Sequence, residues 1–235
     1  MRLRLNEFRP RIGPHEYRVV QPRTPLRHTT LSDPLKGWGY LLGDHDGLSR
    51  LAALFSFAAF SRHTVVHVPL RRSLPRQVAP GVPVGLVLVH RSPGLRPYVW
   101  PQLRRRLTRG TPLTVRTDER RTAAHADAWR CRWEDHWYRM DVRDRIRPAV
   151  HARTLFLYGG RDVFASACVH LELAADFGPL QEGVDRGRDV LVTSLTTHLP
   201  LGHGPWPKLD IGFQARPSYR HFRPPGRSAR YHSPA

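Results

Sequence analysis

Apolar and polar side chains alternate over several short segments of this chain. The clearest is residues 129–138 (WRCRWEDHWY). Trp129, Cys131 and Trp133 take alternate positions there, with arginines between them. Residues 163–173 alternate in the same way. Because successive side chains of a β-strand point to opposite faces, this pattern predicts strands with one buried and one solvated face.

Other segments carry related strand patterns. Residues 82–90 form a continuous apolar run, which favours a central strand. Residues 154–158 precede the turn dipeptide Gly159-Gly160, which predicts a hairpin with the strand over 163–173. Together the patterns predict a mainly β protein with antiparallel sheets. The remaining predicted strands span residues 16–20, 63–70, 113–118 and 189–196.

One segment has the composition of a buried helix. Residues 51–60 (LAALFSFAAF) are almost entirely apolar, and Asp44 or Asp46 is placed to cap a helix that contains them. These ten residues are too few to cross a bilayer, which takes about 20. The first residues carry charge and no apolar stretch of the signal-peptide kind, so we expect a protein that is not secreted.

Composition divides the 235 residues into three parts. Residues 1–35 are rich in arginine and proline and are predicted to form an extended basic arm. Residues 36–203 contain most predicted strands and are assigned to one β domain with one or two short helices. Residues 204–235 combine proline, arginine and aromatic residues, and no acid follows Asp210, which predicts a disordered basic tail.

The charge of the chain indicates a polyanionic partner. The formal net charge is +19 and the isoelectric point is about 11.4. Of the 38 basic residues only Lys36 and Lys208 are lysines, so the other 36 are arginines. Part of this bias also fits a GC-rich gene, in which arginine is favoured over lysine. Whatever its origin, such a charge attracts nucleic acid and is screened by salt.

Clustered arginines are the candidate RNA-binding residues. A guanidinium group pairs with phosphate through a fork of donors and stacks on bases. In the tail, arginines alternate with aromatic residues, a combination that suits single-stranded RNA. The alternative interpretation is a set of solvated surface charges. The candidates are Arg104, Arg105, Arg106, Arg109, Arg116, Arg120, Arg121, Arg220 and Arg223.

Catalytic and metal-binding patterns are weak, so we predict neither an enzyme nor a metal or cofactor site. The phosphate loop, the nucleophile elbow and the His-Glu-x-x-His motif are missing from the sequence. His63 and His67 would lie about 13 Å apart on one strand, too far for one ion. The alternative is a hydrolase or metal enzyme that uses His45, Asp46 or the pair His198 and His203.

The order of the predicted strands over residues 63–175 resembles the 30K superfamily of plant-virus movement proteins, most nearly its tombusvirus and umbravirus branch. The similar elements are the strand that ends in Val68-Pro69-Leu70, the apolar strand from Gly85 to Ser92, and the strand 113–118. The aromatic strand and the pair TLFLYGG and VFASACVHLELAADFG follow. The resemblance implies an antiparallel, jelly-roll-like β-sandwich.

The resemblance also implies a function. We expect a viral cell-to-cell movement protein that binds single-stranded RNA and assists its passage through plasmodesmata. It would act in the host cell cytoplasm and at plasmodesmata. Host membrane or plasmodesmal components and further copies of the chain would be its other partners. The alternative is a capsid-like structural protein whose basic extensions neutralise packaged nucleic acid.

Overall fold

The computed structural model describes residues 1–36, 38–70, 82–136, 145–184, 186–199 and 208–214. These residues form a seven-stranded sheet, a four-stranded sheet, a two-stranded hairpin and four α-helices. In chain order the strands are β1 (Arg2–Phe8), β2 (Arg11–Ile12), β3 (His15–Glu16), β4 (Arg18–Pro22), β5 (Thr30–Leu31), β6 (Trp38–Gly43), β7 (Thr64–Val68), β8 (Gly85–His90), β9 (Thr111–Arg116), β10 (Arg147–His151), β11 (Thr154–Gly159), β12 (Val190–Ser194) and β13 (Lys208–Phe213). The α-helices are α1 (His45–Phe60), α2 (Trp100–Arg105), α3 (Glu119–His136) and α4 (Arg161–Phe177), and short 3-10 turns span Pro34–Lys36, Pro97–Val99, Gly178–Leu180 and Thr196–His198.

The seven-stranded sheet mixes parallel and antiparallel pairs in the order β10-β11-β8-β7-β4-β1-β9. β4 is parallel to β7 and β8 is parallel to β11, whereas the other four neighbouring pairs are antiparallel. In the four-stranded sheet, β12-β13-β6-β5, the pair β13 and β6 is parallel. A parallel pair needs a crossover connection, and α1 lies in the crossover between β4 and β7.

The seven-stranded sheet is buried on both faces around β8. Leu86 and Leu88 join the core that contains α1 and α4, while Val87 and Val89 pack with Trp100 on the opposite face. A strand buried on both sides has no wet face, which explains why residues 82–90 are apolar without alternation. The predicted central strand is therefore confirmed.

α1 begins directly after the predicted capping residue. The Asp44 side chain accepts a hydrogen bond from the Gly47 amide at 2.8 Å, which satisfies one of the free donors of the first turn. Leu48, Leu51 and Phe55 are fully buried between the sheets. The predicted helix is confirmed, and it extends upstream of residue 51.

Removal of this cap tests how much it stabilises the fold. Asp44→Ala leaves the Gly47 amide without its acceptor, so we expect the free energy of unfolding to fall by about 1 kcal/mol in urea titrations. Asp46→Ala is the control, because Asp46 forms only an exposed pair with Arg50 worth about 0.5 kcal/mol or less. Equal effects of the two substitutions would contradict the assignment of the cap.

The predicted strand over 129–138 is wrong, because residues 129–136 belong to the helix α3. Trp129 and Trp133 lie one helical turn apart and stack with ring centroids 5.7 Å apart. Thr122, Ala126 and Trp129 are the buried positions of this helix, spaced three and four residues apart. The alternating window was too short to distinguish the two periods, and the alanines upstream favour the helix. Residues 137 and 138 lie outside the described part of the chain.

The predicted strand over 163–173 is also wrong, because this segment lies in α4. Val163, Ala167 and Leu171 are buried at helical spacing, and so are Phe164 and Cys168 on an adjacent face. The helix contacts α1 and α3 and also β12 and β13 of the smaller sheet, so apolar residues occupy most of its circumference. The predicted hairpin does not form, since β11 pairs with β8 and β10 instead.

The apolar character of α4 also satisfies a membrane criterion. Among the described helices, the segment Arg161–Leu180 is long and apolar enough to cross a bilayer by length and composition alone. In this fold 56% of the tested window is buried against other elements. Burial of α4 against other parts of the protein is therefore enough to explain its apolar composition.

The predicted fold class is confirmed only in its substantial strand content. The mainly β, jelly-roll-like antiparallel sandwich with one or two short helices is corrected to a mixed α/β structure, because α1, α3 and α4 have 16–18 residues each. The predicted arm over 1–35 contains β1 and β4, which are interior strands. β13 lies in the predicted tail and pairs on both sides, while residues 215–235 are outside the described residues.

Candidate nucleic-acid interface

Strand register brings one end of each strand to the same edge of the seven-stranded sheet. His90, the last residue of β8, lies opposite Gly159, the last residue of β11, and the start of β7 lies beside them. The end of β1 and the starts of β4, β9 and β10 share this edge. Strands about 4.8 Å apart make the edge about 29 Å long. We call it the basic edge, because an arginine flanks each strand there: Arg9, Arg18, Arg62, Arg91, Arg109, Arg147 and Arg161.

Charge is not distributed evenly along the basic edge. Arg18 donates to Glu7 at 2.7 Å, and Arg9 pairs with Glu7 at 2.8 Å and with Glu16 at 3.6 Å. The hydrogen bond from Arg18 is the main reason why the pKa of Glu7 is lowered, so this carboxylate stays charged. The β1 and β4 part of the edge is thus largely neutralised. The surplus of guanidinium groups lies around β7, β8 and β11.

A cavity of about 330 Å³ opens at this part of the basic edge, and we call it the arginine pocket. This open cavity is lined by the end of α1, the segment before β7, the end of β8, one side of α3 and the first turn of α4. Four guanidinium groups and one carboxylate line it, which leaves a formal surplus of positive charge. Its lining residues are Ala59, Phe60, Arg62, His90, Arg121, Arg132, Gly160, Arg161, Asp162 and Val163.

The connection between β11 and α4 shapes the floor of the arginine pocket. A Cβ at Gly159 would lie 2.8 Å from the Phe164 ring, so only glycine permits this close turn from strand to helix. Gly160 is the N-cap of α4 and has no side chain to accept from the first amides. The positive end of the helix dipole therefore faces the pocket together with the arginines. Both features favour an anion at this position.

Asp162 orders two of the charged side chains from α3. Its carboxylate accepts hydrogen bonds from Arg132 at 2.7 Å and from His125 Nδ1 at 2.8 Å. Burial raises the pKa of Asp162, but the hydrogen bonds and charges of Arg132 and His125 outweigh burial, so its pKa is lowered. The carboxylate remains ionised near neutral pH. It holds Arg132 against the pocket wall and offsets one of the four positive charges.

Arg121 is held against the same wall by an aromatic ring. Its guanidinium carbon lies 4.2 Å from the centroid of the Phe60 ring, and the ring centroids of Phe60 and His125 are 5.4 Å apart. A guanidinium group stacked on a ring keeps the donors at its edge available for an oxygen ligand. The arrangement is thus suited to phosphate or carboxylate recognition.

His90 is the buried titratable group of the arginine pocket. Burial lowers its pKa, and the positive charges of Arg62, His63, Arg91 and Arg161 lower it further. The imidazole is therefore neutral at pH 7, with Nδ1 3.3 Å from the Ser92 hydroxyl. These four neighbouring side chains make the electrostatic potential at His90 positive.

A second basic cavity of about 400 Å³ lies on the other face of the sheet, and we call it the tyrosine pocket. The guanidinium of Arg147 lies 4.9 Å from the Tyr158 ring, and the Tyr158 hydroxyl donates to the Leu95 carbonyl at 2.8 Å. Burial raises the pKa of Tyr158 to about 12, against the charge of Arg147, so the hydroxyl stays protonated. The two pockets have the adjacent residues His90 and Arg91, at the end of β8, in their respective linings. The lining residues here are Arg91, Gly94, Leu95, Arg96, Pro97, Arg147 and Tyr158.

The structure brings few of the predicted RNA-binding arginines together. Arg121 lines the arginine pocket and Arg109 flanks the basic edge. Arg116 lies opposite Arg2 at the far end of β9, and Arg120 is exposed beside it at the start of α3. Arg104 and Arg105 are exposed in the last turn of α2. Arg106, also exposed, follows the helix and donates to the Arg11 carbonyl. Arg220 and Arg223 lie outside the described residues.

Sequence reasoning missed most of the arginine pocket. Arg62, Arg132 and Arg161 are separated in sequence and do not form a run. A usable signal existed at the end of β11, where a strand, two glycines and Arg161 follow one another. Had the downstream segment been interpreted as a helix, this pattern would have indicated an anion site at a helix N-terminus.

The candidate catalytic and metal-binding groups have other partners. His198 Nε2 lies 2.9 Å from the Ser166 hydroxyl. His170 packs edge-on against the His198 ring, and its Nδ1 lies 2.8 Å from the Thr193 hydroxyl. His198 is fully buried under Trp129, with ring centroids 4.1 Å apart. This polar group therefore belongs to the core.

The residues of the alternative enzyme hypothesis are similarly engaged. His45 Nδ1 lies 3.0 Å from the Ala175 carbonyl, Asp46 pairs with Arg50, and His203 is not among the described residues. Within the described ranges, no group of three or more histidine, cysteine, aspartate or glutamate residues is placed to hold a metal ion. The arginine pocket remains the site with the clearest ligand chemistry.

Comparison with known proteins adds no family to this description. No family model, no curated protein and no solved structure matches the chain.

Proposed function

We propose that this protein binds single-stranded RNA along the basic edge. The observation that carries the proposal is the arginine pocket, in which Arg62, Arg121, Arg132 and Arg161 converge from three parts of the chain around a single carboxylate. Guanidinium groups placed in this way bind phosphate oxygens by charge-assisted hydrogen bonds. The formal net charge of +19 supports the same partner at long range.

An exposed aromatic ring next in sequence to the lining residues Arg96 and Pro97 of the tyrosine pocket favours single strands over duplexes. Tyr98 is 62% exposed, and its hydroxyl accepts a hydrogen bond from Arg96 at 3.1 Å. An exposed ring beside guanidinium groups offers a stacking surface for an unpaired base, whereas the bases of a duplex are already stacked on each other. A single RNA strand along the basic edge would then place phosphates in the arginine pocket and bases near the Tyr98 ring.

The biological setting we propose is the transport of viral RNA between plant cells. Its support is the RNA-binding chemistry and the order of the segments 63–70, 85–92, 113–118 and 154–160. The segments 129–138 and 163–173 no longer contribute to the resemblance as strands, because α3 and α4 occupy them. Spread of a tagged fusion between epidermal cells would separate transport from packaging, for which RNA should instead induce closed particles.

RNA binding is tested by a salt series on the purified chain. We expect a fluorescent single-stranded RNA to bind with log K falling linearly against log salt. About four to six phosphate contacts would give a slope of about −3 to −4. Duplex DNA of the same length is the comparator and should bind more weakly at physiological salt. Loss of all binding at physiological salt would show that the charge is not organised for RNA.

A further inference from the structure

The charge and the oxygen acceptors of a phosphate group differ between the middle and the end of an RNA strand. A phosphodiester within the strand carries one negative charge and two free oxygens. A terminal phosphate monoester carries up to two charges near neutral pH, because its second pKa is about 6, and has three free oxygens. A site built for a chain end should therefore surround the phosphate with donors from several sides and carry more than one surplus positive charge.

The arginine pocket meets both conditions. The carboxylate of Asp162 is bonded to Arg132 at 2.7 Å and also lies 3.5 Å from Arg161 Nε, so one negative charge stands against four guanidinium groups. The guanidinium groups besides Arg132 are those of Arg62, Arg121 and Arg161. They come from the segment before β7, from α3 and from α4, so they approach the cavity from different elements.

The donors of the main chain add to this set. Gly160 and the first residues of α4 line the cavity, and the Gly160 N-cap supplies no side-chain acceptor. The amides of a first helical turn have no partner within the helix. They can serve an oxygen that the guanidinium groups do not reach. This contribution is secondary, because the convergence of the arginines defines the pocket.

The size of the cavity favours the end of a chain rather than a bare ion. About 330 Å³ is in the range of pockets that hold small organic ligands and exceeds what one phosphate group needs. Ala59, Phe60 and Val163 also line the cavity and provide an apolar surface beside the charges. A terminal nucleotide has both a phosphate and a flat apolar base to match these surfaces.

We propose that the arginine pocket binds the terminal phosphate monoester of a single-stranded RNA, so that the protein recognises a phosphorylated strand end as well as the strand. This inference rests on the proposed RNA binding and extends it. The rest of the basic edge then contacts the nucleotides that follow the end. The pocket supplies the preference for the end, and the edge supplies affinity that does not depend on sequence.

Three RNA oligomers of one sequence test the inference: one with a 5′-phosphate, one with a 3′-phosphate and one with hydroxyl groups at both ends. In competition binding at one salt concentration, we expect one phosphorylated oligomer to bind about tenfold more tightly than the hydroxyl form. The identity of that oligomer assigns the end. Equal affinity of all three would overturn the inference and leave the proposed RNA binding intact, whereas failure of all three to bind would overturn both.

Substitutions assign the preference to the pocket. Arg62→Ala and Arg161→Ala each remove one exposed guanidinium from its lining and should reduce the tenfold preference to about twofold or less. Arg116→Ala is the matched control, because it removes the same charge from the far end of β9. We expect it to retain the full preference. A preference lost equally in all three variants would assign the effect to net charge and contradict the site; far-ultraviolet circular dichroism verifies that each variant is folded.

Discussion

Replacement of Arg62, Arg121 and Arg161 together by alanine is expected to weaken binding of single-stranded RNA about a hundredfold at low salt. Each guanidinium contributes about 1 kcal/mol or more through charge-assisted hydrogen bonds, and 1.4 kcal/mol corresponds to a factor of ten. Because the three guanidinium groups share one cavity that holds one phosphate group, their loss should also reduce the slope of log K against log salt by about 1. Fluorescence anisotropy across a salt series measures both quantities.

A triple variant of equal charge is the control for this experiment. Arg2, Arg4 and Arg116 are exposed on β1 and β9, away from the basic edge. Their replacement by alanine removes the same three charges and should change the affinity less than tenfold, through long-range attraction alone. If both triple variants lost affinity and slope equally, the interaction would depend on net charge, and the basic edge would have no special role.

Acidification is expected to destabilise this protein from about pH 6.5 downwards, before most of its carboxylates titrate. Burial lowers the pKa of His67 to about 3, with a further contribution from the charge of Arg104. His198 is fully buried, and its pKa is lowered in the same direction by burial and by His170 and Arg145. The folded state therefore holds both rings neutral, whereas the unfolded chain binds protons at about pH 6.5.

The sign of the pH dependence follows from these lowered values. The free energy of unfolding is highest above pH 6.5 and decreases as the pH falls towards 3. The reason is that the unfolded chain then binds a proton that the folded state does not bind. For His67 alone the loss is about 2 kcal/mol between pH 6.5 and 4.5, because the slope reaches 1.36 kcal/mol per unit only below the pKa of the unfolded chain. His198 adds to the loss. Urea titrations at a series of pH values measure it.

His67→Leu is expected to flatten this pH profile. His67 packs edge-on against Trp100 with ring centroids 4.8 Å apart, and its Nδ1 contacts the side chain of Gln21, so the substitution also changes the free energy at neutral pH. The prediction therefore concerns how the free energy of unfolding changes with pH below 6.5, not its value at any one pH. His63→Gln alters an exposed histidine four residues away and should keep the slope of the unaltered protein. Parallel profiles for all three proteins would show that His67 is not the group responsible.

Some elements could be identified from sequence because their signals are local. The cap at Asp44 and the apolar run after it predicted α1, and the run over 82–90 predicted β8 as a central strand. A cap depends on residues three positions apart, and a strand buried on both faces needs apolar residues throughout. Neither signal depends on how distant segments pack.

The two wrong predictions share a physical cause. Trp129 and Trp133 are two strand repeats apart but also one helical turn apart, so a short window fits both periods. α4 packs against helices on two sides and the smaller sheet on another, so buried residues occur at positions of either parity. A segment buried on most sides loses the periodicity by which the type of element is recognised.

The candidate site was beyond sequence analysis for a different reason. Its charge surplus was visible in composition, and Arg109 and Arg121 were identified among the clustered arginines. Arg62, Arg132 and Arg161 are tens of residues apart, and only the strand register and the position of α3 bring them around one cavity. Composition specifies the amount of charge in a chain, whereas strand pairing specifies which charges converge.

The amino-acid sequence is therefore sufficient for the charge of this protein, its capped helix α1 and six of the thirteen described strands, because each of these follows from neighbours along the chain. The helical conformation of α3 and α4, the mixed sheet and the arginine pocket depend on contacts between distant segments. Those contacts are set by burial of apolar surface across the whole fold, a cooperative quantity that no short window of sequence contains.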